Sequence, residues 1–268
     1  MDPHWKGLYA LAAVQHGVFN IAQARRFGVD ERSVRRRVAR GDFLRMHPNV
    51  VQVAGSAPTR LREFQAVHLW LGPRIAISHL SAAEVLRLDR DDSRAATDVH
   101  VWVPEGVAAG RRGSVKIHRS VMLPDHHRSF VDGIPTTSAA RTIVDLAAVL
   151  APEALESAAE SARRTGIMTV AELERVMGDV GARCGVDKLR SYVDTTRGTA
   201  ALHSRLELKM ALLLRTMKGG VDWKRQWSIA TQSRRVYRVD FADAAAMVVI
   251  ECDGFRWHGN RLDCANAG

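Results

Sequence analysis

Apolar positions recur at helical spacing over residues 8–15 and stop before His16-Gly17, where glycine can take a left-handed backbone. Asn20 can cap a second helix over residues 21–27, closed by Gly28, and Asp30 can cap a third, ERSVRRRVAR. Val34 and Val38 lie four apart on that third helix and can face inward together. Two short helices around a glycine-containing turn predict a helix-turn-helix. After Gly41, the segment DFLRMHPNVVQVAG reads as two short strands turned at His47-Pro48-Asn49, the pattern of a wing beside the third helix.

Further along, SAPTRLR at 56–62 reads as a linker or helix cap, and residues 63–71 as an apolar helix stopped by Gly72-Pro73. Ser81 with Glu84 predicts a capping box that starts a helix running to about residue 88. Strand-like runs at 99–103 and 115–118 flank the basic loop GVAAGRRGS. Pro124-Asp125-His126-His127 reads as an exposed turn, without the partners that would complete a metal site. Ser138 can cap an alanine-rich helix over 139–150, Pro152 opens another that Gly166 ends, and Thr169 with Glu172 makes a second capping box. TTRGT at 195–199 reads as a boundary, followed by the amphipathic helix SRLELKMALLLRTM and a strand containing Gln226-Trp227-Ser228-Ile229. Residues 236–241 and 247–253 then alternate as two strands around the small-residue connection 242–246. The pattern predicts a multi-domain α+β protein: a winged helix-turn-helix over 1–57, a central α/β region over 58–198, and a C-terminal sheet over 199–268.

Composition sharpens this. The chain has 268 residues, 46% hydrophobic, enough for sizeable cores, and a formal net charge of +10 with pI near 10.2. So positive a surface favours polyanions, of which nucleic acid is the commonest soluble partner. No run approaches the roughly 18 apolar residues of a membrane span, and MDPHWKG lacks a charged-then-apolar leader, so the expected location is cytoplasmic and no membrane is expected as a partner. Cys184, Cys252 and Cys264 lie far apart without CxxC spacing, the pattern of reduced thiols rather than a disulfide framework or a structural zinc site.

On the third helix Arg32, Arg35, Arg36 and Arg40 gather opposite the valines, and Arg45 and His47 on the wing could reach an adjacent phosphate backbone. Guanidinium forks suit phosphate oxygens and guanine edges, and a helix of this size fits the major groove of double-stranded DNA. The stretch HGVFNIAQARRFGVDERSVRRRVARGDFLRMHPNVVQVAG resembles the N-terminal winged-helix domain of type IV AbiEi-type antitoxins over most of residues 8–55. IPTTSAARTIVDLAA is similar to the central region of the same family. The resemblance implies a DNA-binding transcriptional regulator of a toxin-antitoxin system, with a cognate toxin and a homodimer as further partners.

The second hairpin carries the other candidate chemistry. If its strands pair antiparallel, Asp240 lies across from Glu251 and Asp253 on one face. Three carboxylates so close repel one another unless a cation sits between them, and oxygen-only ligands suit Mg2+ or manganese. The arrangement VDF, IECDG and WHG resembles the core of PD-(D/E)XK nucleases of the very-short-patch-repair branch. That resemblance implies Asp240 and Glu251 as metal carboxylates, Asp253 where relatives keep lysine, His258 near the scissile phosphate, and Trp257 packed beside it. It also places Glu207 where the family often keeps a metal-orienting glutamate, although Ser204 and Glu207 equally satisfy a capping box. Relatives continue past WHGN with a basic helix and a further strand, whereas RLDCANAG stops, so an incomplete restriction-endonuclease-like sheet is expected. Two functions follow: a DNA-binding antitoxin-like regulator with a degenerate nuclease-like C-terminus, or a Mg2+-dependent DNA endonuclease targeted by the winged helix.

Overall fold

The computed structural model describes residues 2–90, 97–106, 113–120, 123–181, 185–199, 201–202, 204–217, 221–231 and 235–252. The chain divides into two compact units, Met1–Leu88 with Ser93–Val149, and Asp89–Asp92 with Leu150–Gly268.

The first unit opens with α1 (Pro3–Val14), which has proline in its first turn, where no N–H is needed, and the Asp2 carboxylate accepting from the His4 N–H. There follow β1 (Val18–Asn20), α2 (Ile21–Arg26), α3 (Glu31–Ala39), β2 (Phe43–His47) and β3 (Val50–Val53). Asn20 caps α2, and Gln23 reciprocates to complete a capping box. β1 is too short for its alternation to show in the sequence, yet it pairs with β3 and gives the sheet β1-β3-β2. Leu8, Ala12, Phe19, Val34, Phe43 and Val51 fill the core of this part. Phe43 is central to it, meeting Phe19 edge-on at 5.2 Å and Tyr9 at 5.9 Å.

α4 (Arg60–Leu71), capped by Thr59, is buried on two sides. Ala66 and Leu69 pack on Val18 and Val50, while Phe64 and Val67 pack into the core of the next sheet. The chain continues through β4 (Ala76–Ile77), α5 (His79–Val85), β5 (Val99–Pro104), β6 (Val115–Ser120), a 3-10 turn at Asp125–His127, β7 (Arg128–Val131), β8 (Ile134–Thr137) and α6 (Ala139–Leu146). The five strands form a mixed sheet in the order β6-β5-β4-β8-β7, with the β5/β6 and β4/β8 pairs parallel.

Helix ends in this unit depart from expectation. The Ser81/Glu84 capping box does not start α5: the helix begins two residues earlier, Ser81 is buried inside it and its Oγ accepts from the His100 N–H at 2.9 Å. Glu84 instead accepts from Arg60 at 3.0 Å. α6 ends at Leu146 rather than residue 150.

The second unit holds α7 (Pro152–Arg164), α8 (Val170–Val180), α9 (Val186–Thr196), α10 (Arg205–Thr216), β9 (Lys224–Ala230), β10 (Val236–Asp243) and β11 (Val248–Ile250). The Thr169/Glu172 capping box opens α8. The strands form an antiparallel sheet, β11-β10-β9, whose Phe241 packs with Leu202, Leu208, Ala211 and Leu214. β10 outruns its expected end because Asp243 makes the turn, its Oδ1 accepting from the Ala245 and Ala246 N–H groups.

Candidate nucleic-acid interface

The base of the interface is α3. Asp30 caps it by accepting from the Ser33 N–H at 2.7 Å, and Val34, 1% exposed, anchors its inner side. Helical periodicity then turns Arg32, Arg35, Arg36 and Arg40 outward, and all four are exposed. They are not equivalent. Arg35 donates to Glu31 at 2.6 Å and Arg25 donates to the same carboxylate at 2.8 Å. The Arg35 hydrogen bond is the main reason that the Glu31 carboxyl sits below its ordinary pKa. Arg36 donates to Ser33 Oγ at 2.9 Å. Among the described residues, Arg32, Arg36 and Arg40 have no carboxylate within salt-bridge distance, so these three form the available cationic ridge.

Arg37 lies in the same arginine run but is withdrawn. Its guanidinium sits 4.0 Å from the centroid of Trp5 on α1 and 3.6 Å from Asp42. Trp5, Ser33, Arg36, Arg37 and Arg40 line one shallow cleft. Neither Trp5 nor this use of Arg37 is visible in the charge pattern of α3, because the tryptophan comes from another helix. Arg26, in the last turn of α2, is a further exposed cation outside the arginine run of α3.

On the wing, Arg45 is exposed and its Nη1 donates to the Pro48 carbonyl at 2.5 Å, across the hairpin turn. His47 is half-buried, its ring stacked on Trp70 of α4 with centroids 4.6 Å apart and planes 8° from parallel.

The carboxylate group predicted in the second unit is gathered only in part. Asp240 Oδ1 accepts from Gln226 Nε2 at 3.0 Å, and Glu207 Oε2 accepts from the same nitrogen at 2.7 Å. Asp240 Oδ2 also accepts from the Cys252 N–H at 2.8 Å. Glu207 is 4% exposed, and its N–H donates to Ser204 Oγ at 3.1 Å, so it serves the helix cap and the cluster at once. Gln226, absent from the expected set of site residues, holds a left-handed φ of 47° within β9 opposite Asp240, where the regular pairing is interrupted. The register of Phe241 with Ile250 brings Glu251 level with Asp240, and Glu251 is exposed. Cys252 forms no disulfide among the described residues. Asp253, Trp257, His258, Cys184 and Cys264 lie outside the described residues.

For Mg2+, the donor chemistry fits in kind: Asp240, Glu251 and Glu207 offer oxygens. The Gln226 amide nitrogen bridges Glu207 and Asp240 where a shared cation would otherwise balance them.

Residues 7–54 match the family model described as "Transcriptional regulator, AbiEi antitoxin", and residues 76–207 match that of the "AbiEi antitoxin C-terminal domain". Both matches support an AbiEi-type antitoxin. No curated protein matches the chain. Among solved structures it is similar to the RV2827C protein from Mycobacterium tuberculosis, with TM-score 0.50 and 13% identity over 86% of this chain and 89% of that one, a likeness of fold. No helix among the described residues is long and apolar enough to cross a membrane.

Proposed function

We propose that this AbiEi-type chain is a double-stranded DNA-binding regulator that places α3 in a major groove and its β2/β3 wing against the flanking backbone. The observation that carries the reading is the ridge of Arg32, Arg36 and Arg40, turned outward with no described carboxylate within salt-bridge distance, on a helix whose other side is locked into a core. Arginine at such positions can contact phosphates or guanine edges. A cognate toxin and a second copy of the chain are the protein partners that an antitoxin role entails. The test is binding of the full-length chain to a labelled duplex taken from upstream of its own reading frame, measured by fluorescence anisotropy across a salt series. Replacing Arg36 and Arg40 with alanine should weaken binding at least about tenfold and flatten the salt slope by about 0.9 for each phosphate that is no longer neutralised. Equal affinity and slope in the double variant would sink the proposal.

A second reading is favoured by one observation, the convergence of Glu207, Gln226 and Asp240 from α10, β9 and β10. Here the C-terminal region is nuclease-like, and by the resemblance Asp240, Glu251 and Asp253 would hold Mg2+ while His258 would act at the phosphate. When bound, the ion would supply a Lewis acid for a phosphoryl oxygen. Glu207 and Gln226 would orient Asp240. Plasmid nicking that requires Mg2+ and vanishes in Asp240→Ala supports this reading, and nicking unchanged in the variant counts against it.

A further inference from the structure

Three histidines far apart in the chain meet in the first unit. His79 opens α5, His100 is the second residue of β5, and His118 lies on the neighbouring parallel strand β6. His118 Nε2 is 3.1 Å from His100 Nδ1, and the His79 ring stacks on that of His118 with centroids 3.6 Å apart. One nitrogen from each ring lies within 4.8 Å of the other two. We propose that His79, His100 and His118 form a binding site for a divalent transition-metal ion of the zinc class.

The three rings bring their nitrogens near the spacing that such an ion demands. Tetrahedral zinc holds imidazole nitrogens at about 2.0–2.1 Å, which puts neighbouring nitrogens about 3.4 Å apart. The His100/His118 pair is already near that spacing, whereas the His79 ring, stacked nearly parallel to His118, must turn out of the stack for its lone pair to meet theirs. Two imidazole nitrogens facing each other at 3.1 Å must share an electrophile, either a proton or a metal ion.

The surroundings supply the rest. Ser78 Oγ is 3.0 Å and Asp145 Oδ2 is 4.0 Å from His79 Nδ1, oxygen groups of the kind that orient a liganding imidazole or complete its coordination. Two cations face the group. Arg141 is paired with Asp145 at 2.9 Å, and Lys116 is exposed to solvent. His79 adopts φ 50°, a left-handed backbone uncommon for a residue with a side chain, at the position where its ring joins the other two. The site belongs to the five-stranded sheet and is independent of the DNA-binding ridge and of the Asp240 cluster.

The test uses the full-length chain, stripped by chelator and dialysed, then titrated with Zn2+ by calorimetry and with Co2+ by visible absorption. The expected result is one strong site per chain and a tetrahedral Co2+ spectrum. His118→Ala and His79→Ala, checked for native circular dichroism, should each weaken Zn2+ at least about tenfold, whereas His126→Ala should leave it unchanged. Imidazole nitrogen NMR of the unaltered chain needs no variant and should show three rings moving with Zn2+. Absence of stoichiometric binding, full affinity in both His118→Ala and His79→Ala, loss confined to His126→Ala, or fewer than three shifted rings would each overturn the proposal.

Discussion

Glu160 shows what one residue can decide. Its side chain is 1% exposed on α7, yet it is a carboxylate. Three donors converge on it: Arg163 at 2.9 Å and the Tyr192 hydroxyl at 3.1 Å on Oε1, and the Leu202 N–H at 3.1 Å on Oε2. Burial, reinforced by the Glu160 charge, pushes the Tyr192 hydroxyl above its ordinary pKa, so it remains a donor. Glu160→Ala would leave a buried guanidinium, hydroxyl and amide without their acceptor. The expected loss is about 3–5 kcal/mol, the scale of breaking a buried ion pair, measured as a shift in the denaturant midpoint of the full chain. A shift below about 1 kcal/mol, the scale of an exposed ion pair, would mean that water replaces the carboxylate. In the sequence PEALESAAESARR, Glu160 is one of three glutamates in an alanine-rich helix, and nothing there distinguishes it from the exposed Glu153 or from Glu156, which pairs with Arg215.

Elements were legible where their signals are local. Asn20, Asp30, Ser138 and Thr169 cap the helices that they announce, because a side chain bonding a backbone N–H three residues on needs no distant partner. Asn20 does more than cap: its Nδ2 also donates to the Leu69 carbonyl of α4 at 3.2 Å. Asn20→Ala should therefore cost about 1–2 kcal/mol, at the upper end for a cap, read from the thermal midpoint, and Asn20→Asp should restore only the capping share. The Ser81/Glu84 pair has the same spacing as a true capping box, but tertiary contacts claim both side chains. The hairpin of β7 and β8 also has a local signal, Val131-Asp132-Gly133-Ile134, although the expected elements did not include it. Asp132 and Gly133, at φ 51° and 76°, occupy the two left-handed positions that such a tight turn favours.

At the scale of the molecule, α4 binds the winged-helix elements into one unit with the five-stranded sheet. A fragment of residues 1–60 would bare Val18 and Val50, which are 0% exposed under Ala66 and Leu69. Residues 1–149 should fold with a cooperative transition and bind duplex DNA as tightly as the full chain, whereas 1–60 should unfold more readily. Circular dichroism melts with anisotropy titrations check this, and a fragment 1–60 as stable as 1–149 would refute it. The sequence by itself determined the helix-turn-helix, its caps, the outward arginines and the αβ alternation, since these follow from period, capping chemistry and charge within short windows. Only the tertiary structure decided which arginines stay available, which carboxylates Gln226 gathers, and that His79, His100 and His118 meet. Each of these depends on residues brought together by strand pairing and packing, and no local pattern encodes that proximity.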